Sequence, residues 1–253
     1  MLNKQNEKAI EQYDAKKYRT PDGYTSDNVI FTIFDSTLHL LLIQRSLTTN
    51  EGTANIEGGK WALPGGFIAP DETANDAALR ELKEETGIEN IHVKHFSTYE
   101  KEGRDPRGWM ITNAHYAILP SHYLDSRIAG DDAMDVKLFP IDELEKLEIA
   151  FDHCQIIEDA LSEVRKDMLQ TTLAKEFLRE EFTLSELSDV ILTIVDDPVV
   201  SSKPFFFRKA PTLPFLELVV DKEGTAMTTQ RGAKKPTKLY RFKDDEIIKS
   251  IYK

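Results

Sequence analysis

From Gly65 to Ile88 the chain reads GGFIAPDETANDAALRELKEETGI, and this stretch constrains the fold more than any other. Everything after Thr73 has the composition of a helix. Thr73 can cap its N-terminus together with Asp76, three residues on, and Gly87 can end it in the left-handed conformation. Glu81, Glu84 and Glu85 then fall at i, i+3 and i+4, so three carboxylates share one helix face. Such a face is either solvated or neutralised by a cation. An all-oxygen cluster suits Mg²⁺ or Mn²⁺, which keeps water and phosphate oxygens at its remaining positions. A strand-to-loop-to-helix passage would bring Gly65 and Gly66 beside these carboxylates, where a backbone carbonyl can approach a metal without a side chain intervening.

Gly66, Glu72, Arg80, Glu81, Glu84, Glu85 and Gly87 are spaced as G-x5-E-x7-R-E-U-x-E-E-x-G-U, with Leu82 and Ile88 at the aliphatic positions U. Seven such residues at fixed spacing should arise by chance in about one chain per million. The pattern resembles, position for position, the signature box of the Nudix hydrolase family. That resemblance implies an α/β/α sandwich with a mixed sheet, and metal-dependent cleavage of the pyrophosphate in nucleoside diphosphate derivatives. It assigns Glu81, Glu84, Glu85 and the Gly65 carbonyl to the metal. Arg80 would orient the glutamates and Glu72 would support the loop. The base would be a helix glutamate or a loop acid such as Asp131 or Asp132.

The 253 residues are long enough for one large or two ordinary domains. No apolar run approaches the length of a bilayer span, and the N-terminus MLNKQNEKAIEQ lacks a signal-peptide core. The single cysteine, Cys154, excludes an internal disulfide and fits a structural role in a reducing cytoplasm. The net charge of −12 argues against a generally nucleic-acid-binding surface, but charge is uneven. Residues 203–243 hold ten Lys or Arg against three acids, +7, leaving −19 for the rest. Such a segment is either a solvated face or a part that faces nucleic acid.

Along the chain, residues 1–24 are a polar extension with a short helix over 7–17. Two strands over 29–34 and 39–44 form a hairpin, and 46–59 reads as a mobile loop. Strands follow over 91–99 and 110–119, with a turn-rich loop between them that carries Arg104, Asp105 and Arg107. Arginine suits bidentate phosphate binding, and an Arg–Asp pair pinning the turn is the alternative. Trp109 is a candidate for stacking on a ligand, whereas Trp61 suits core packing. A strand over 136–139 closes this part. His92 and His95, three apart in a strand, would face opposite ways and make no zinc site.

From Phe151 the pattern is helical. Asp152 with Gln155 suggests a cap for an apolar stripe running from Ile156 to Met168. Leu173 to Leu178 fits a short helix, Thr183 to Glu186 is a capping box, and a further short helix includes Phe205 to Lys209. Strands over 215–220 and 238–242 enclose a basic loop. Helices followed by a basic hairpin outline either a winged helix or a helical protein-interaction module.

The chain also resembles, from about residue 25 onward, the Nudix-related transcriptional regulators of NAD metabolism. The likeness rests on Asp27 to Phe31, Trp61 to Ile68, Arg104 to Gly108, Ala150 to His153, Phe182 to Leu187 and Lys238 to Phe242. It implies a Nudix domain over 25–148, a connecting helix over 149–170 and a winged-helix-like domain over 171–253. It further implies an ADP-ribose-like ligand held by Gly66, Arg104, Arg107 and Trp109, operator DNA as a partner, and a homodimer. Arg208, Lys209, Arg231, Lys234, Lys235 and Lys238 would contact the DNA. Two departures stand out: a longer loop between Arg45 and Trp61, and Phe205 where the family has a polar residue, in a helix shortened by Pro204 and Pro211. A hydrolase whose C-terminal module serves only dimerisation or regulation is the alternative. The box is complete, so hydrolysis is expected.

Overall fold

The structure is a computed structural model that describes residues 4–49, 51–89, 91–120, 136–232 and 234–243. Its centre is a mixed sheet built on one long strand, β1 (Gly23–Phe34), rich in β-branched and aromatic residues. β2 (Thr37–Gln44) returns antiparallel beside it, with Phe34 opposite Thr37. Asp35 and Ser36 make this two-residue turn with φ of 47° and 58°, the left-handed pair that matches strand twist. On the other side of β1 lies β6 (Met110–Ile118), parallel to it, and then β5 (Val93–Tyr99). β3 (Trp61–Ala62) and β7 (Val136–Pro140) pair with β2, and β4 (Gly65–Phe67) pairs with the first half of β1. β1 begins at Gly23, so two residues of the expected N-terminal extension belong to the sheet. Among its described residues the extension has helix α1 (Lys4–Glu11) and a 3-10 turn over Ala15–Lys17 instead of one helix.

Strand periodicity sends alternate residues of β1 to opposite faces. Ile30 packs with Leu41, Ala78, Leu82 and Ile88 under helix α2 (Ala74–Thr86). Val29 and Phe31 pack with Leu40, Leu42, Ile156, Ala160 and Val164 under helix α3 (His153–Gln170). α2 carries the expected capping box between Thr73 and Asp76 and ends at Gly87, φ 63°. α3 is pinned further along by polar contacts. Tyr116 and Lys94 both donate to the Asp167 carboxylate, and the Tyr99 hydroxyl donates to Asp159 at 2.7 Å.

One expectation is corrected here. Asp152 stands at the N-cap of α3 but makes no capping bond, because its carboxylate is engaged by Arg104. The loop after Arg45 is held by internal hydrogen bonds. Thr49 and Thr53 bond hydroxyl to hydroxyl at 2.8 Å, and the Asn55 amide donates to the Ser46 carbonyl at 3.0 Å.

After α3, a 3-10 turn over Leu173–Phe177 leads to α4 (Leu184–Ile194), opened by the capping box of Thr183 and Glu186. Short helices α5 (Pro198–Ser201) and α6 (Lys203–Lys209) follow. β8 (Leu216–Leu218) pairs antiparallel with β11 (Tyr240–Phe242), and between them β9 (Thr228–Thr229) and β10 (Thr237–Lys238) form a small hairpin. This is the expected arrangement of helices followed by a basic hairpin. Leu173, Phe177, Phe182, Leu187, Ile191 and Phe215 join the same buried cluster as Phe31 and Leu40, so the core runs without interruption from the sheet into the C-terminal elements. No helix among the described residues is long and apolar enough to cross a membrane.

Both tryptophans, Trp61 and Trp109, lie in the sheet-bearing part of this chain. Leu187 is fully buried in α4, and truncating such a residue costs about 2–5 kcal/mol. Leu187→Ala should therefore lower the urea midpoint followed by tryptophan fluorescence. An unmoved tryptophan transition would show that the two parts unfold independently.

Candidate functional site

β4 lies antiparallel to the start of β1, with Gly65 opposite Asp27 and Gly66 opposite Ser26, and α2 crosses directly over it. The glycines are required by that approach. A Cβ on Gly66 would lie 2.2 Å from Glu81 Oε1, and one on Gly65 would lie 2.4 Å from the Ser26 carbonyl oxygen. The Gly65 N–H donates to Glu85 Oε2 at 2.8 Å, which ties the strand to the acidic face.

Arg80 organises the other carboxylates. Its guanidinium donates to Glu72 at 2.8 and 3.1 Å, to Glu81 at 2.7 Å, to Glu84 at 3.1 Å and to the Phe67 carbonyl at 3.0 Å. Glu72 also accepts the Ala69 N–H at 2.8 Å, closing the turn between β4 and α2. The bonds from Arg80 and Ala69 hold the Glu72 carboxyl down at about 2. Glu85 behaves oppositely: burial, with the charges of Glu81 and Asp27 adding, pushes it up to about 7. Asp27, buried beside these groups, is pushed up by that burial to about 6.

These residues fit a divalent cation. The donors are all oxygen, Gly65 and Gly66 expose backbone beside them, and Glu85 is costly to ionise without added positive charge. Among the described residues no three His, Cys, Asp or Glu side chains already converge on one point, because Glu81 and Glu84 turn to Arg80 and Glu85 turns to Gly65.

The loop between β5 and β6 divides its arginines. Arg104 is buried, with a side-chain exposure of 5%, and grips Asp152 through two bonds of 2.6 and 2.8 Å; Asp27 lies 3.9 Å away. Arg107 forks onto Asp105, which pins the turn, and its guanidinium lies over the rings of Phe67 and Phe151. Trp109 serves structure. Its N–H donates to Asp22, its indole donates to the Glu100 carbonyl, and Arg19 covers the ring. Trp61 packs edge-on against Phe139 at 4.6 Å. Asp131 and Asp132 lie outside the described residues.

The geometry adds residues that sequence reasoning missed as site components: Asp27, Arg45, Phe67, Phe151 and His153. His153 Nδ1 accepts the Leu63 N–H at 2.9 Å, and burial lowers its pKa to about 3, so the ring stays neutral. In the sequence the segment from Ala150 to His153 carries a family likeness only, with no chemistry to single out Phe151.

In the C-terminal part, Arg208 and Lys209 on α6 both lie over the Phe205 ring. Arg231 is taken by Glu186 at 2.9 Å and by the Glu181 carbonyl at 2.8 Å. Lys234, Lys235 and Lys238 are exposed, and no carboxylate among the described residues pairs with them. Cys154 is exposed on α3.

The paired glycines give separable effects. Gly65→Ala would press a Cβ on backbone and should cost about 1–3 kcal/mol of stability by urea titration. Gly66→Ala would press on the movable end of Glu81. It should leave stability nearly unchanged while weakening Mn²⁺ binding about tenfold or more. Equal cation affinity in Gly66→Ala and wild type would remove Glu81 from the site.

A model of the NUDIX domain matches residues 25–160. The chain is 28% identical over 235 residues to the ADPR responsive transcriptional repressor NtrR of Acinetobacter baylyi, covering 92% of this chain and 86% of the relative. It is 36% identical over 155 residues to the ADP-ribose pyrophosphatase of Methanocaldococcus jannaschii, covering 61% and 83%. Among solved structures, Shewanella oneidensis NrtR complexed with a 27mer DNA superposes with a TM-score of 0.69 at 31% identity, over 87% of this chain and 93% of that one.

Proposed function

The chain belongs to the Nudix family, and on that premise we propose that it is an ADP-ribose-responsive transcriptional regulator with a competent hydrolase site. One observation carries the catalytic half: α2 sets Glu81, Glu84 and Glu85 against the side-chain-free strand at Gly65 and Gly66, with every residue of the box in place. The regulatory half is supported by likeness to a repressor along nearly the whole chain and by the basic hairpin.

In this reading residues 1–24 are an extension, 25–148 the Nudix domain, 149–170 the connecting helix and 171–253 the winged-helix-like domain. Glu81, Glu84, Glu85 and the Gly65 carbonyl hold a divalent ion, Mg²⁺ or Mn²⁺. When bound, that ion neutralises diphosphate charge and acidifies a coordinated water. The remaining work belongs to the chain. Arg80 holds Glu81 and Glu84 at fixed orientation, and Glu72 holds Arg80 and the loop. The proton of the attacking water would pass to one of the helix glutamates or to a loop acid such as Asp131 or Asp132. Gly66 keeps the approach to the carboxylates open for the diphosphate, with Arg107 at its side. Arg104, committed to Asp152, positions that residue and the loop and does not itself reach the ligand. Trp109 fixes the loop in the same way.

For DNA, Lys234, Lys235 and Lys238 on the hairpin and Arg208 and Lys209 on α6 supply phosphate contacts. Arg231 steadies the hairpin through Glu186. A two-fold operator calls for a homodimer, in the cytoplasm.

Incubation with ADP-ribose and Mg²⁺ should release AMP and ribose 5-phosphate. Glu85→Gln should abolish turnover, at least 100-fold, with an unchanged circular dichroism spectrum. Turnover near wild type in that variant would sink the metal assignment, and saturable ADP-ribose binding without products would reduce the site to a sensor.

Replacing Lys234, Lys235 and Lys238 together by Ala should weaken duplex DNA binding. It should also flatten the plot of log affinity against log salt by up to about 3, roughly 0.9 for each phosphate no longer neutralised. An unchanged slope would take the hairpin off the DNA.

A further inference from the structure

α6 reads KPFFFRK, three phenylalanines in a row on a helix of seven residues. Successive residues of a helix are rotated by about 100°, so the three rings cannot share one environment. Phe206 is the anchor. It is 2% exposed and joins the buried cluster that holds Leu187, Ile191 and Phe215. With Phe206 turned inward, its two neighbours reach the surface: Phe205 and Phe207 are 38% and 37% exposed.

Burial explains Phe206 and leaves the other two rings to be accounted for. Phe207 has a local reason. It lines a shallow groove with Leu184 of α4 and with Pro236 and Lys238 of the hairpin, so α6 and the basic loop share one face. Phe205 takes no part in that groove. Arg208 lies 5.5 Å from the centroid of its ring and Lys209 lies 6.0 Å from it. The spacing i, i+3, i+4 puts the ring and both cations on one side of the helix. Neither cation, nor Lys203, is paired with a carboxylate among the described residues. The chain carries no Asp or Glu at all from Pro198 to Leu216.

The outer side of α6 is therefore an apolar ring framed by unpaired positive charge, next to the lysines of the hairpin. Such a face complements a polyanion that also offers apolar groups. On duplex DNA the phosphates engage the cations and carry no sequence information, whereas the base edges between them do. A phenylalanine ring has no hydrogen-bond donor or acceptor with which to read those edges. The apolar group they present in the major groove is the thymine C5-methyl.

We propose that Phe205 is a specificity-determining residue that packs its ring on the C5-methyl of a thymine in the major groove, while Arg208 and Lys209 hold the flanking phosphates. This rests on the reading that α6 and the hairpin face DNA, and adds to it a base contact. The regulators this chain resembles carry a polar residue where Phe205 stands, so the base preferred at this position differs from theirs.

The test begins with selection of duplexes from a random pool by the full-length protein without ADP-ribose. The recovered duplex is then titrated as such and with each thymine in turn replaced by deoxyuracil, which lacks only the methyl. At the thymine under Phe205, deoxyuracil in one half-site should weaken wild-type binding about three- to fivefold, the loss expected for one buried methyl. Phe205→Ala should bind the two duplexes equally, and Phe205→Leu, still apolar, should keep part of the difference. Phe205 stands at the surface, so both variants should fold, with circular dichroism as the check. A deoxyuracil penalty of the same size in Phe205→Ala, or none at any thymine in the wild type, would overturn the contact while DNA binding stands. Retention of no duplex by the wild type would overturn the DNA reading itself, and the contact with it.

Discussion

The contact between the glycine pair of β4 and a helix carrying three carboxylates is the constraint on which the site depends. β4 can lie under α2 only because Gly65 and Gly66 present no Cβ; at Gly66 the space belongs to the Glu81 carboxylate itself. Once that approach is made, the Gly65 N–H donates to the Glu85 carboxylate. Arg80 then prevents the like charges from splaying apart, since one guanidinium spans Glu72, Glu81 and Glu84. Positive charge is thus placed among the glutamates.

β1 connects this site to the rest of the molecule. Its first half pairs with β4, Gly23 to Phe31 pair with β6, and its two faces feed the clusters under α2 and α3. α3 begins at the site, where Asp152 receives Arg104, and ends where Asp167 receives Tyr116 and Lys94. The C-terminal helices continue the core that α3 shares with the sheet. A change at the Arg104–Asp152 pair therefore acts on the first turn of a helix whose apolar face is packed against both parts. The two parts are thus joined by a packed helix.

Much is legible in the sequence because it depends on local chemistry. The α2 boundaries follow from Thr73, Asp76 and Gly87, and the i, i+3, i+4 spacing of Glu81, Glu84 and Glu85 sets their common face. The α4 capping box and the paired strands near the C-terminus are readable for the same reason. Asp152 reads wrongly as a cap because a cap and a long-range ion pair use the same carboxylate, and only the position of Arg104, 48 residues away, decides between them. The loop after Arg45 looks unstructured by composition, yet Thr49 and Thr53 bond hydroxyl to hydroxyl across it and the Asn55 amide donates to the Ser46 carbonyl.

What the sequence by itself determined is the inventory of chemistry: a complete set of oxygen donors at helical spacing, a glycine pair, and a positively charged segment over 203–243. Helical period and capping act over four residues, so no tertiary information is needed to place them. The tertiary structure alone decided which arginine is spent and which is free. Arg104 went to Asp152 and Arg231 to Glu186, while Arg45 was brought across Phe151 from a loop far earlier in the chain. Guanidinium partners are chosen by distance in space, and identical side chains acquire different roles when one meets a carboxylate and another meets a ring and neutral oxygens.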